Sequence, residues 1–127
     1  MRINEQGFIE LTEPNEIFVF GSNADGNHHG GAAKFALDNY GAIIGRSFGT
    51  QGRSFAIDTM SGIEQMKNDI EDFLCHASFN RQKTFVVTPI GCGIAGYKPE
   101  QIAPFFANAP ENVFLPDEFK RCVGGVV

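Results

Sequence analysis

The run Gly91-Cys92-Gly93-Ile94-Ala95-Gly96-Tyr97 and the pair Gly30-Gly31 are the residues best suited to chemistry, and that chemistry is anion binding. Glycine lets backbone approach a ligand closely. Backbone N–H groups beside a helix N-terminus then meet an anion with unpaired donors and the positive end of the helix dipole. Both sets have suitable neighbours. The apolar run Ile17-Phe18-Val19-Phe20 leads through Gly21-Ser22-Asn23 and Ala24-Asp25-Gly26-Asn27-His28-His29 to Gly30-Gly31, and then to the helix-forming stretch Ala32-Ala33-Lys34-Phe35-Ala36-Leu37. The run Phe85-Val86-Val87-Thr88-Pro89-Ile90 leads into the second loop, after which Pro99 can open a helix. Two such loops together can hold a diphosphate.

Reactive side chains cluster on the same loops. Asn23 can hydrogen-bond a ligand hydroxyl and orient a water, or brace its own turn. Asp25 can act as a general base or be a polar turn residue. His28 and His29 suggest acid–base work or metal ligation, since imidazole titrates near neutrality; no further ligands stand at metal-site spacing, so no metal is expected. Cys92 is a nucleophile if its thiol is activated by the helix N-terminus. Without a flanking His or Asp it reads better as a small side chain turned inward while the loop amides face the ligand. Arg46 and Arg53, in the turn-rich connection 45–53, can approach a phosphate or lie in solvent. Residues 91–96 also satisfy GxGxxG, with Asp117 downstream as a ribose-binding acid. Against a dinucleotide fold, Tyr97-Lys98-Pro99 delays the helix past the third glycine, and little chain follows Asp117.

Positioning these residues requires strands and helices in alternation, which points to an α/β layer architecture. The strand candidates are 8–11, 17–20, 42–44, 55–57, 85–88 and 113–115. The first helix is expected from Gly31 to Tyr40, with Gly41 in the left-handed closing position. The second is expected to start at a Ser61-Gly62-Ile63-Glu64 capping box and to bury Ile63, Met66, Ile70, Phe73, Leu74 and Ala77. The third starts at Pro99 and ends at Ala109-Pro110. If the strands before the two loops are parallel neighbours, both loops open on one cleft beyond the strand ends.

Composition narrows the partners. A chain of 127 residues fits one domain, 1–127. Its net charge of −5 and scattered basic residues disfavour a duplex nucleic-acid surface. A small anion can still be held by local loop and helix-end potential. No apolar run reaches membrane-span length and no signal peptide is visible, so a cytoplasmic protein with no membrane partner is expected. Cys75, Cys92 and Cys122 show no disulfide or metal spacing.

With those residues in view, the chain resembles the macrodomain family of ADP-ribose-binding modules, and especially a short, divergent branch of bacteria and phages. The strand ending in Asn23, the Gly30-Gly31-Ala32-Ala33 loop entering a helix and the loop Gly91–Tyr97 carry the likeness. The resemblance implies a three-layer α/β/α fold whose mixed central sheet is flanked by helices. It implies ADP-ribose or a related NAD-derived nucleotide across the sheet edge, with no bound cofactor. Gly21 and Ser22 would be ligand-binding, Asn23 would face the distal ribose, and Gly30 and Gly31 would give close backbone approach near that ribose and the diphosphate. Gly91, Cys92, Gly93, Ile94, Ala95 and Gly96 would cradle the diphosphate, and Tyr97 would flank the distal end. Hydrolysis of an ADP-ribosyl derivative would draw on Asn23, Asp25 and His28; binding alone would make the chain a reader, and loss of the ligand would leave an interaction module. Many macrodomains carry an Asp that contacts the adenine amino group after a glycine near the start. Here Phe8 follows Gly7, with Glu10, Glu13 or a stacking Phe8 as substitutes, or a ligand without adenine.

Overall fold

A computed structural model describes residues 1–5, 7–28 and 30–123; among the candidate residues His29 alone lies outside that set. Two short strands, β1 (Arg2–Ile3) and β2 (Ile9–Glu10), form an antiparallel pair apart from the main sheet. The axis of the molecule is β3 (Glu16–Ser22), whose residues from Ile17 to Phe20 are all buried. A strand covered on both faces must be apolar without alternation, and this one is.

On one face Phe18 and Phe20 meet Ala33 and Ala36 of α1 (Gly31–Asn39). On the other, Ile17 and Val19 join the core beneath α2 (Ile63–Ser78), α3 (Pro99–Ile102) and α4 (Asp117–Val123). Phe73 of α2 sits there with its ring centroid 5.0 Å from Phe55 and 5.5 Å from Phe85.

The remaining strands are β4 (Gly49–Gln51), β5 (Ser54–Asp58), β6 (Thr84–Val87) and β7 (Val113–Phe114), in the sheet order β4-β5-β3-β6-β7. All neighbours are parallel except β4, which runs antiparallel to β5. The result is a three-layer α/β/α arrangement around a mixed sheet. Because β3, β5, β6 and β7 run the same way, the connections that follow them leave from one edge of the sheet. No described helix is long and apolar enough to cross a membrane.

Three local expectations are corrected. Residues 42–44 form no strand: Ile43 donates its N–H to Gln51 Oε1 at 2.8 Å, and Gln51 Nε2 donates to Arg46 O at 2.9 Å. A buried side-chain amide thus serves this segment in place of a ladder, and the edge strand is β4, inside the connection read as turns. The second helix has no Ser61 cap. Gly62 occupies that position at φ 97°, while Ser61 Oγ donates to Asp58 Oδ2 at 2.5 Å. The third helix gives way to a 3₁₀ turn at Ala103–Phe106, where Pro104 has no N–H for the α-helical pattern. The chain after β7 forms α4, which no signal in the sequence marks. Its first turn carries Asp117 and Glu118 and its last carries Lys120 and Arg121, an order that complements the helix dipole.

Candidate functional site

At that common sheet edge a cavity of about 830 Å³ opens between the two glycine loops. This lies within the range of small-molecule and cofactor sites. Its walls come from three strand ends: Gly21-Ser22-Asn23 at the end of β3, Thr59 and Met60 after β5, and Thr88-Pro89-Ile90 after β6. Threonines tie these ends together. Thr59 Oγ1 donates to Ser22 O at 3.2 Å, and Thr88 Oγ1 donates to Val19 O at 2.8 Å.

The second loop folds over the cavity as a pair of tight turns. Cys92 N–H donates to Pro89 O at 3.3 Å, Gly96 N–H to Gly93 O at 3.0 Å and Tyr97 N–H to Gly91 O at 2.9 Å. Gly91 makes this possible at φ 77°, where an added Cβ would lie 3.1 Å from the Met66 sulfur and 3.5 Å from the Tyr97 ring. The turns consume those donors but leave three in succession. The N–H groups of Gly93, Ile94 and Ala95 have no protein acceptor among the described residues, and all three residues line the cavity. Successive unpaired amides of this kind form an anion-binding concavity.

The first loop brings a second set. Gly30 caps α1 with its backbone extended and no side-chain bond, so among the described residues the first-turn amides of Gly31, Ala32 and Ala33 are uncapped. Gly30, Gly31, Ala32 and Ala33 all line the cavity. Asn23 lines it as well while bracing its loop: Oδ1 accepts Asn27 N–H at 3.0 Å and Nδ2 donates to Asn27 O at 3.2 Å.

Of the residues singled out in the sequence, Gly21, Ser22, Asn23, Gly30, Gly31, Gly91, Cys92, Gly93, Ile94 and Ala95 come together here. Four others do not line the cavity. Gly96 closes the second loop at φ 80°, and Tyr97 packs inward against the α2 side of the core. Asp25 is exposed, because the Asn23–Asn27 clamp and the Gly26 turn push the loop tip outward. His28 is fully buried with its ring edge-on to Phe20 at 5.1 Å, and Nδ1 lies 3.2 Å from Ser22 Oγ.

That environment gives His28 a packing role, since its Nε2 is buried without a hydrogen-bond partner among the described residues. His28→Ala is therefore expected to lose about 2 kcal/mol of unfolding free energy, the cost of a buried cavity. His28→Leu, which fills the space and removes the orphaned atom, is expected to stay within about 1 kcal/mol of the parent. Urea unfolding checks this, and a leucine variant as unstable as the alanine variant would make the Ser22 contact the dominant contribution instead.

The electrostatics of the lining are unusual for an anion site. No Lys or Arg lines it among the described residues, and Glu118 is its one charged side chain. Arg53 is engaged elsewhere, donating to Glu13 O at 2.8 Å, and Arg46 lies outside the lining. Burial pushes the Cys92 thiol up, with further pushes from Glu118, Glu100 and Cys122, so at neutral pH Cys92 is a protonated thiol and a poor nucleophile. The substitutes for an adenine-contacting Asp also lie away from the cavity. Phe8 stacks on Phe35 at 4.9 Å, Glu10 pairs with Arg2 at 2.7 Å, and neither they nor Glu13 line it.

Sequence reading missed Asn27, Thr59, Met60, Thr88 and Glu118 as lining residues. Thr59 and Met60 follow a parallel strand, so the rule that placed both glycine loops would have found them once β5 was known to be parallel. Known protein families and curated proteins offer no significant match to this chain.

Proposed function

We propose that this chain is a macrodomain-like module that binds ADP-ribose or a closely related NAD-derived nucleotide diphosphate. The observation carrying this reading is the pair of amide runs, Gly93–Ala95 and Gly31–Ala33, that have no acceptor among the described residues and line one cavity to which no described residue brings a cationic side chain. Backbone donors fixed in place neutralise a diphosphate without reorganisation, whereas Lys or Arg would bind a broader set of anions. The resemblance of the two loops to those of macrodomains supports ADP-ribose as the ligand, with the distal ribose beside Asn23 and Gly30-Gly31.

Binding is favoured over hydrolysis. Both ends of the Asn23 amide are engaged by Asn27, and neither Asp25 nor His28 reaches the cavity, so the residues expected to activate and deprotonate a water are not assembled. A reader needs only the amides and the cavity walls.

Thermal unfolding with added ligand tests the reading. ADP-ribose at about one hundred times its dissociation constant is expected to add roughly 2.7 kcal/mol, which raises the midpoint of a domain this size by roughly 10 °C. AMP, NAD and ribose 5-phosphate at the same concentration are expected to shift it less. Equal stability with and without each of the four would overturn the proposal.

A further inference from the structure

We infer that Glu118 is the residue that selects the base of the bound nucleotide, by accepting a hydrogen bond from an exocyclic amino group such as that of adenine. This deepens the proposed function and rests on it. The inference starts from where the sheet places α4. The first glycine loop leaves β3, the second leaves β6 and α4 follows β7, and these three strands are adjacent and parallel in that order. The second loop therefore stands between the first loop and Glu118. With the distal ribose beside the first loop and the diphosphate on the second, the nucleoside end of the ligand falls on the α4 side.

The chemistry of the side chain supplies the rest. Glu118 lines the cavity and is half-buried, and no ion pair or hydrogen bond among the described residues engages its carboxylate. A carboxylate accepts hydrogen bonds and donates none. Against a bare phosphate it would only repel, so its place in a diphosphate cavity makes sense where the ligand turns a donor towards it. The base edge of adenine does so through its amino group. A purine without the amino group has only a C–H at that position, and the carboxylate is then left without its donor. A site built to hydrogen-bond one group rejects the analogue that lacks it more strongly than an apolar pocket can.

The test compares ADP-ribose with its analogue whose base is unsubstituted purine, identical except for that amino group, by titration calorimetry on the wild-type chain and on Glu118→Gln. The wild type is expected to bind the adenine ligand about tenfold to 100-fold more tightly, the range for a hydrogen bond to a charged group. In Glu118→Gln the amide can turn to accept or to donate, and the preference is expected to fall to within about threefold. Equal wild-type affinity for the two ligands would overturn the inference and leave the proposed function standing. So would a preference that survives intact in Glu118→Gln. Binding of neither ligand to the wild type would overturn the proposed function itself. The wild-type comparison needs no variant to fold, and the thermal midpoint of Glu118→Gln establishes that the variant does.

Discussion

Replacing Gly30 with Asp is expected to make the protein more stable while nearly abolishing nucleotide binding. Gly30 is the N-cap of α1 at φ −153° and ψ 162°, an extended conformation open to any residue. A Cβ there meets nothing within 4 Å. The helix now has no side-chain cap and no acidic residue in its first turn. An Asp would cap an open amide and oppose the positive end of the dipole, for a gain of about 0.5–1 kcal/mol. The same carboxylate would occupy the anion's place. At about 5 Å from a diphosphate and an effective dielectric of about 20, the repulsion from one unit charge is roughly 3 kcal/mol, or about 100-fold in affinity. The opposite signs separate the two effects: urea unfolding reads the first and calorimetry with ADP-ribose reads the second. Gly30→Ser, which caps without charge, is expected to keep the affinity. Undiminished binding by Gly30→Asp would mean that the α1 N-terminus is not where the phosphates lie.

The second large effect is expected at Gly26, which does not line the cavity. Its φ is 66°, and an added Cβ would lie 2.7 Å from Gly45 Cα and closer still to Arg46 N and Gly45 C. The approach is fixed by Gly45 N–H donating to Gly26 O at 2.9 Å. Gly26→Ala thus combines a left-handed alanine, at about 1–2 kcal/mol, with a forced shift of packed backbone, at about 1–3 kcal/mol. A loss of about 3 kcal/mol is expected. Gly45→Ala provides the comparison, because Gly45 also has positive φ, 94°, but open space around its Cβ position. It should bear only the backbone cost. If urea midpoints of the two variants fall together, the packing of the first loop on the 41–46 segment is not what holds Asn23 and Gly30 in place.

These two glycines show different routes by which sequence reaches function. Gly30 was recognisable from its neighbours, since a glycine pair between an apolar strand and an alanine-rich stretch already specifies an uncapped helix start. Gly26 read as one polar-loop residue among several. Its necessity depends on Gly45 and Arg46, nearly twenty positions away, and no local pattern announces that contact. The same division runs through the fold. Continuous apolarity at Ile17–Phe20 marked a central strand, and the spacing of Met66, Ile70, Phe73 and Ala77 marked the buried stripe of α2, because burial imposes a period on the chain that bears it. The edge strand β4 has three residues, of which Gln51 alone is buried, so little in its composition distinguishes it from a turn.

At the site, sequence alone determined the backbone donors: which residues are glycine, which strand each loop follows and which helix each loop enters. Those are properties of contiguous residues, and contiguity is what local stereochemistry acts on. Only the tertiary structure decided which side chains share the cavity with them. It placed Asp25 at the loop surface, buried His28 against Phe20 and turned Tyr97 inward, although each is within a few residues of a lining position. It also brought in Glu118 from a helix that follows a different strand. The direction of a side chain follows from packing across the sheet, and packing joins residues that the chain keeps far apart.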